Sequence, residues 1–234
     1  PSFKTKTTYI DSEFLEICDN LKKKYNIPLY LWVLDLWPES ILAASNFKNP
    51  LIIKCIENLV AKIYNQSDVI LISSKYFEKS IKNKLINQNK EILYFPNWAE
   101  DIFTKSYEEN SSTIPDLPIG FNIMFAGNVG ESQDFETIIK AAELTLRDDI
   151  NWIIVGEGRK LGWIKEQIQL RQLNNVFLLG RHAIETMPEF FNKADVMLVS
   201  LKDEPVFSLT VPAKIQAYMA SSKIILGSLN GEGN

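Results

Sequence analysis

Eight short apolar runs, each closed by turn residues and separated from the next by a stretch of helical periodicity, constrain this chain more than any other feature of its sequence. Continuous apolar runs of about four to eight residues suit strands buried on both faces, and apolar residues recurring three and four apart suit one face of a helix. A regular strand–helix–strand alternation builds a parallel sheet with helices on both sides. Strands are expected at Leu29–Leu34, Val69–Ser73, Ile92–Phe95, Asn122–Ala126, Trp152–Val155, Val176–Leu179, Val196–Ser200 and Ile224–Gly227. Helices are expected near 11–25, 49–65, 75–87, 134–146, 160–171, 185–193 and 212–221. The fold class is therefore α/β, doubly wound.

The alternation breaks between Asp101 and Gly120, where SYEENSSTIPDLPIG is polar, aperiodic and interrupted by proline, as an interdomain connection is. The chain divides into two α/β domains, 1–110 and 111–234. Ligands of open parallel sheets bind at the carboxyl ends of the strands, so two such domains imply a cleft lined by loops from both.

Charge and cysteine usage exclude several classes. With 25 basic against 29 acidic residues the net charge is −4 and no face is dense in Lys or Arg, so nucleic acid is not an expected partner. Lys22, Lys23 and Lys24 read as a solvated helix end. Cys18 and Cys55 lie in apolar helical patterns and read as reduced core residues, with no zinc set available. No run reaches the roughly 18 apolar residues of a membrane span, and PSFKTKTTYID is neither signal peptide nor transit sequence. The expected location is cytoplasmic, extending to peripheral association with the inner face of the cytoplasmic membrane.

The segment Pro212–Ser228, PAKIQAYMASSKIILGS, carries the strongest local chemistry. A helix start offers backbone N–H groups without intrahelical partners and the positive end of the helix dipole, and Lys214 adds an ammonium where Ser208–Ala213 approach it. A nucleoside diphosphate fits such a site. Three further loops follow strands of the second domain. FAGNVG, 125–130, is either a tight strand-to-helix turn or a ligand loop in which Gly127 admits close backbone approach. GEGRK, 156–160, presents Arg159 and Lys160, read as solvent-facing in the first turn of an exposed helix, with phosphate contact the alternative. GRHA, 180–183, carries His182, read as a surface or packed loop residue, while the loop's backbone groups can still meet a nucleobase edge.

In the first domain LYLWVL runs into Asp35 and Glu39, flanked by Trp32 and Trp37. Aromatic faces beside carboxylates grip sugars or nucleobases; the same residues also serve as a helix N-cap with packed indoles. Trp98 adds an indole near the interdomain segment.

Taken in order, these segments resemble the family 4 glycosyltransferases, whose fold is GT-B. The resemblance is carried by DLWPES (35–40), SDVILISS (67–74), YFPNWAEDIF (94–103), FAGNVGESQDFETIIKAAE (125–143), VGEGRK (155–160), LGRHAIETMPEFFNKADVMLVSL (179–201) and PAKIQAYMASSKIILGSLNGEG (212–233). DLWPES, DEPVFSLTVPAKIQAYMA and SLNGEG are most similar to the bacterial capsule and O-antigen branch that includes L-fucosamine (N-acetylfucosamine) transferases.

The resemblance implies two Rossmann-like doubly wound parallel-sheet domains, both incomplete in this chain, with the acceptor against residues 1–110 and the nucleotide sugar against 111–234. It implies retaining transfer, without a metal cofactor, from a UDP-linked N-acetyl amino sugar to a glycan or lipid-linked acceptor in surface polysaccharide synthesis. Gly127 and Asn128 are implied to approach the diphosphate, Arg181 to border the base, Ser208, Leu209, Thr210 and Lys214 to hold diphosphate and sugar, and Asp35 to line the acceptor side in a catalytic role. Leaving diphosphate is then stabilised by helix N-termini and cations.

The sequence also departs from the family. Asn128 and Gln133 stand where many members place a cationic phosphate clamp, leaving more charge for Lys214 to offset. The glutamate pair common in the family is replaced by Leu209 and Ala217, with Gln216 or Glu204 as stand-ins, and Leu34 replaces a histidine. The chain resembles the middle of a longer enzyme, so exposed sheet edges call for a partner chain or self-association. Two alternatives accompany this reading: a non-catalytic nucleotide-binding fragment or subunit of a split transferase, and a nucleotide-sugar 2-epimerase.

Overall fold

The computed structural model describes residues 12–44, 49–104 and 114–233. Its contacts divide the chain into two compact units, with the main division between Pro96 and Asn97.

The first unit runs α1 (Ser12–Tyr25), β1 (Tyr30–Val33), α2 (Glu39–Ala44), α3 (Pro50–Gln66), β2 (Val69–Ile72), α4 (Phe77–Lys82) and β3 (Glu91–Tyr94). The strands pair in parallel in the order β1-β2-β3, with Tyr30 opposite Val69 and Val69 opposite Glu91. The long helix α3 starts where Asn49 Oδ1 accepts from the backbone N–H groups of Leu51 (3.1 Å) and Ile52 (3.4 Å) and Pro50 supplies a preset φ. It buries Val60, Ile63 and Tyr64. At its far end Lys90 Nζ donates to the carbonyls of Tyr64 (3.0 Å), Asn65 (2.7 Å) and Ser67, placing a cation on the negative end of the dipole.

The second unit contains β4 (Phe121–Ala126), α5 (Phe135–Leu144), β5 (Ile150–Val155), α6 (Leu161–Leu170), β6 (Val176–Gly180), α7 (Met187–Lys193), β7 (Val196–Ser200), α8 (Ala213–Ala220) and β8 (Ile225–Ser228). Its sheet is parallel in the order β6-β5-β4-β7-β8. Both faces are covered, which is why the strands read as unbroken apolar runs. Ile123, Phe125, Trp152, Ile154 and Leu198 pack on α5 and α6 through Phe135, Ile138, Ile139 and Ile164. The alternate residues Met124, Ala126, Ile153, Val155, Met197 and Val199 pack on α7 and α8 through Phe190, Phe191, Ala217 and Tyr218. The order of strand addition reverses between β4 and β7, and the loops after these two strands are joined by Lys202 N donating to Ser132 O at 3.0 Å.

The structure corrects several details of the sequence reading. The helix expected at 75–87 is only Phe77–Lys82. The one expected at 185–193 begins as a 3-10 turn, Ile184–Thr186, and becomes α7 where Pro188 can occupy its first turn without a donor. The six-residue α2 lies outside the expected helix ranges, though it follows the Asp35 segment that also reads as a helix N-cap. Cys55 is exposed and Cys18 only partly buried, so neither is a core residue; both are free thiols. Lys22 is not simply solvated, since its Nζ bonds Asp68 Oδ1 (2.7 Å) and the Gln66 carbonyl (3.2 Å). The expected connection begins later than Asp101: a 3-10 turn at Asp101–Thr104 packs on the second unit, Phe103 stacking on Phe191 at 5.4 Å and accepting from Ser221 Oγ at 3.1 Å through its carbonyl. The expected boundary at 110/111 lies outside the described residues.

Candidate functional site

At the carboxyl end of the second sheet three strand exits are laced together by backbone bonds. Gly127 N donates to Val155 O (2.9 Å), Gly156 N to Gly180 O (2.7 Å), Val129 N to Glu157 O (2.8 Å) and Lys160 N to Val129 O (3.1 Å). Gly156 has φ +145°, and a Cβ there would lie 1.9 Å from Gly127 O; a Cβ on Gly158 would lie 2.1 Å from Val129 O. These two glycines therefore let the loops after β4 and β5 lie directly on each other. Tyr218 OH fixes the end of β4 from beneath, accepting from Ala126 N (3.2 Å) and donating to Ala126 O (3.1 Å), and burial raises its hydroxyl pKa.

Between these exits and the β6 loop lies a cavity of about 340 Å³ lined by Gly127, Asn128, Glu157, Arg181, His182 and Met187 among others. Three residues singled out from sequence, Gly127, Asn128 and Arg181, thus meet at one pocket. Arg181 and Asn128 are exposed. His182 is a packed loop residue: its Nε2 lies 3.0 Å from Leu179 O and its ring meets Phe190 edge-on at 4.7 Å.

Lys214, in the first turn of α8, reaches Gly127, one of the pocket's lining residues. Gly127 has φ +138°, and the direction a Cβ would take there points at Lys214 Nζ, 3.4 Å away. The ammonium sits 3.7 Å above the Phe125 ring and donates to Gln133 Oε1 at 3.3 Å. Burial pushes its pKa down to about 7.

The remaining residues expected on the donor side are locally engaged. Ser208 Oγ donates to Pro205 O (2.7 Å) and Thr210 Oγ1 to Val206 O (3.2 Å), so both hydroxyls keep only acceptor capacity for a ligand. Leu209 ends the 3-10 turn Phe207–Leu209, its N–H bonded to Val206 O at 3.2 Å. Gly231 presses on this turn, since a Cβ there would lie 1.8 Å from Ser208 O. Gln216, with its amide oriented to satisfy both acceptors, donates to Pro212 O (3.0 Å) and Ala213 O (2.9 Å) at the start of its own helix. Ala217 is buried in the core and Glu204 is exposed.

Lys160 departs from the solvent-facing expectation. It is mostly buried, lies 4.8 Å above the Trp163 ring, and approaches Glu131 (3.5 Å) and Glu136 (3.7 Å). Glu131 is shared with Lys202 at 3.6 Å, and Lys202 N donates to Ser132 O at 3.0 Å. This Glu131–Lys160–Lys202 group went unnoticed in sequence because its members are scattered over 70 positions with no spacing rule to join them.

In the first unit Asp35 Oδ1 accepts from Leu36 N (3.0 Å) and Ser40 Oγ, and nearby burial raises its carboxyl pKa. Glu39 is committed to Lys84 and to Ser80 Oγ (2.9 Å), while its buried Oε2 has no hydrogen-bond partner among the described residues. Trp32 Nε1 donates to Phe95 O at 3.2 Å and the two rings meet edge-on. Trp98 is 59% exposed. Of the two carboxylates expected at this strand end, Asp35 is exposed and has no ion-pair partner among the described residues. Among the described residues no helix is long and apolar enough to cross a membrane.

Comparison with known proteins shows what this chain is similar to. Residues 120–233, all within the second unit, match the model of the family described as Glycosyl transferases group 1. The chain is 28% identical over 204 residues to "Probable glycosyltransferase WbjE" of Pseudomonas aeruginosa, covering 84% of this chain and 50% of that protein. It is 25% identical over 195 residues to TuaH of Bacillus subtilis (strain 168), named for teichuronic acid biosynthesis, covering 83% of this chain and 48% of TuaH. The chain thus spans about half the length of the curated relatives it matches. The crystal structure of Anabaena Alr3699/HepE in complex with UDP shares its fold, with a TM-score of 0.66 at 15% identity over 94% of this chain and 58% of that one.

Proposed function

We propose that this chain forms the donor-binding part, and a portion of the acceptor side, of a glycosyltransferase that moves a sugar from a UDP-linked donor to a glycan or lipid-linked acceptor in bacterial surface polysaccharide synthesis. The single observation that carries this reading is the meeting of Gly127, Asn128 and Arg181 at one cavity, with Lys214 Nζ set against Gly127, inside the segment that matches the group 1 glycosyltransferase family. The diphosphate lies against the turn after β4, met by Lys214 and the first N–H groups of α8, and the base lies toward Arg181 and the β6 loop.

Transfer with retention, an N-acetyl amino sugar such as fucosamine on the donor, and stabilisation of the leaving UDP by Lys214 and backbone amides rather than by a divalent ion are parts of the same proposal. Asp35, held by Leu36 N and Ser40, faces the acceptor. The reaction is proposed at the cytoplasmic face of the membrane, where lipid-linked acceptors reside. UDP-bound HepE and the surface-polysaccharide name of TuaH support the donor and the pathway class.

A second reading, a nucleotide-binding subunit that needs another chain for turnover, is favoured by one observation: Ala217 stands buried where the family places an acidic residue, and Gln216 spends its amide on its own helix. An epimerase has less support, because His182 is tied to Leu179 O and Phe190. Incubation with UDP-N-acetyl amino sugars, followed by proton NMR of the anomeric signal, tests the proposal. Release or transfer of an α-configured sugar from an α-linked donor supports it; tight UDP binding with no turnover supports the subunit; absence of UDP binding rejects both.

A further inference from the structure

The ammonium of Lys214 is arranged unlike those of Lys160 and Lys202 on the neighbouring loops. Lys160 and Lys202 share Glu131 as a counter-charge. Lys214 has a neutral amide oxygen, an aromatic face and the backbone of Gly127 around it. The charged groups on the elements packed against it are otherwise occupied or peripheral. Asp134 caps α5, accepting from Thr137 N (3.2 Å) and Thr137 Oγ1 (2.6 Å), and Asp203 accepts from Asn230 Nδ2 at 2.8 Å. Glu157 and Arg181 lie across the pocket on the loops after β5 and β6, and Glu232 lies on the turn that packs on Ser208. Burial pushes the Lys214 pKa down to about 7, and no neighbouring carboxylate opposes the shift.

We infer that a diphosphate entering between the turn after β4 and the start of α8 draws a proton onto Lys214, so that this residue makes the pocket discriminate diphosphorylated nucleotides from nucleosides through a coupled protonation. The inference rests on the proposed donor site. In the empty protein an isolated, desolvated ammonium is costly and the amine tends to release its proton. A pyrophosphoryl group supplies the missing counter-charge, the ammonium becomes the favoured form, and one proton is taken from solvent. A nucleoside without phosphates supplies no such charge and takes up none.

Titration calorimetry of the chain with UDP at pH 8.0, where UDP is itself fully ionised, in buffers of different ionisation enthalpy measures the uptake directly. The expected result approaches one proton per UDP bound, and UDP affinity falls by close to tenfold per pH unit between about pH 7.5 and 9. Uridine, wherever its binding is measurable, shows no uptake. In Lys214→Arg, whose guanidinium stays charged, UDP still binds and the uptake disappears. UDP binding with no proton exchanged overturns the inference and leaves the donor site standing. No UDP binding overturns both. Proton–nitrogen NMR of the lysine Nζ groups in the ligand-free protein, assigned with Lys214→Arg, separates the causes: a Lys214 that titrates with the bulk of the lysines overturns the inference whatever UDP does.

Discussion

Replacing Lys214 by methionine should stabilise the second unit near neutral pH, and the gain should vanish as the pH rises. In the unfolded chain this lysine holds its proton up to the ordinary value of 10.5, whereas in the folded protein burial lowers that to about 7. Between those values the unfolded state binds more protons than the folded one, so the wild-type protein gains stability with rising pH from this group. The slope approaches about 1.4 kcal/mol per pH unit once the folded lysine is neutral, and integration from pH 7 to 9 gives about 2 kcal/mol. Methionine fills the same space beside Phe125 without a charge, and loses only the Gln133 hydrogen bond and the cation–ring contact, together worth about 1 to 2 kcal/mol. Urea unfolding of wild type and Lys214→Met at pH 7, 8 and 9, followed by circular dichroism, gives the difference curve and cancels every other titrating group. The advantage of methionine should shrink by about 2 kcal/mol across this range. Parallel curves would show that Lys214 is an ordinary solvated ammonium and would refute the reasoning.

Three further outcomes are expected. Gly156→Ala should destabilise the second unit by more than about 2 kcal/mol and abolish UDP binding, because its Cβ would meet Gly127 O at 1.9 Å on a backbone with φ +145°; a stable, UDP-binding variant in thermal melts and calorimetry contradicts the laced-loop geometry. Lys90→Met should cost the first unit about 1 to 3 kcal/mol by stripping three carbonyls at the end of α3 of their shared donor, read as earlier amide-exchange opening of α3 and β2 with the second unit unchanged. Asp35→Asn keeps an acceptor for Leu36 N and Ser40, so it should leave UDP affinity unchanged while lowering sugar transfer; a matching loss of UDP affinity would overturn the assignment of Asp35 to the acceptor side.

The strands were the most legible part of the chain because strands buried on both faces are written as unbroken apolar runs, and each of the eight lies within two residues of its expected place. Helix limits were less so: Pro188 and the Asn-rich tail after Lys82 set local turns that periodicity does not encode. At the site, Lys214 was legible because a helix start beside a lysine has a chemical meaning in one dimension. Its isolation from carboxylates was not, since Glu131 is taken by Lys160 and Lys202 from two other loops. The same holds for Gly156 and Gly158, whose constraint is the backbone of another loop. Glu39 reads as a free carboxylate until Lys84, 45 residues away, closes on it.

The most direct measurement is a crystal structure of the chain soaked with UDP. The account predicts the diphosphate against the backbone of Gly127 and Asn128 with Lys214 Nζ within about 3 Å of a phosphate oxygen, and the uracil on the Arg181 side of the cavity. A diphosphate bound elsewhere, with Lys214 still seated over Phe125 and bonded to Gln133, would contradict it.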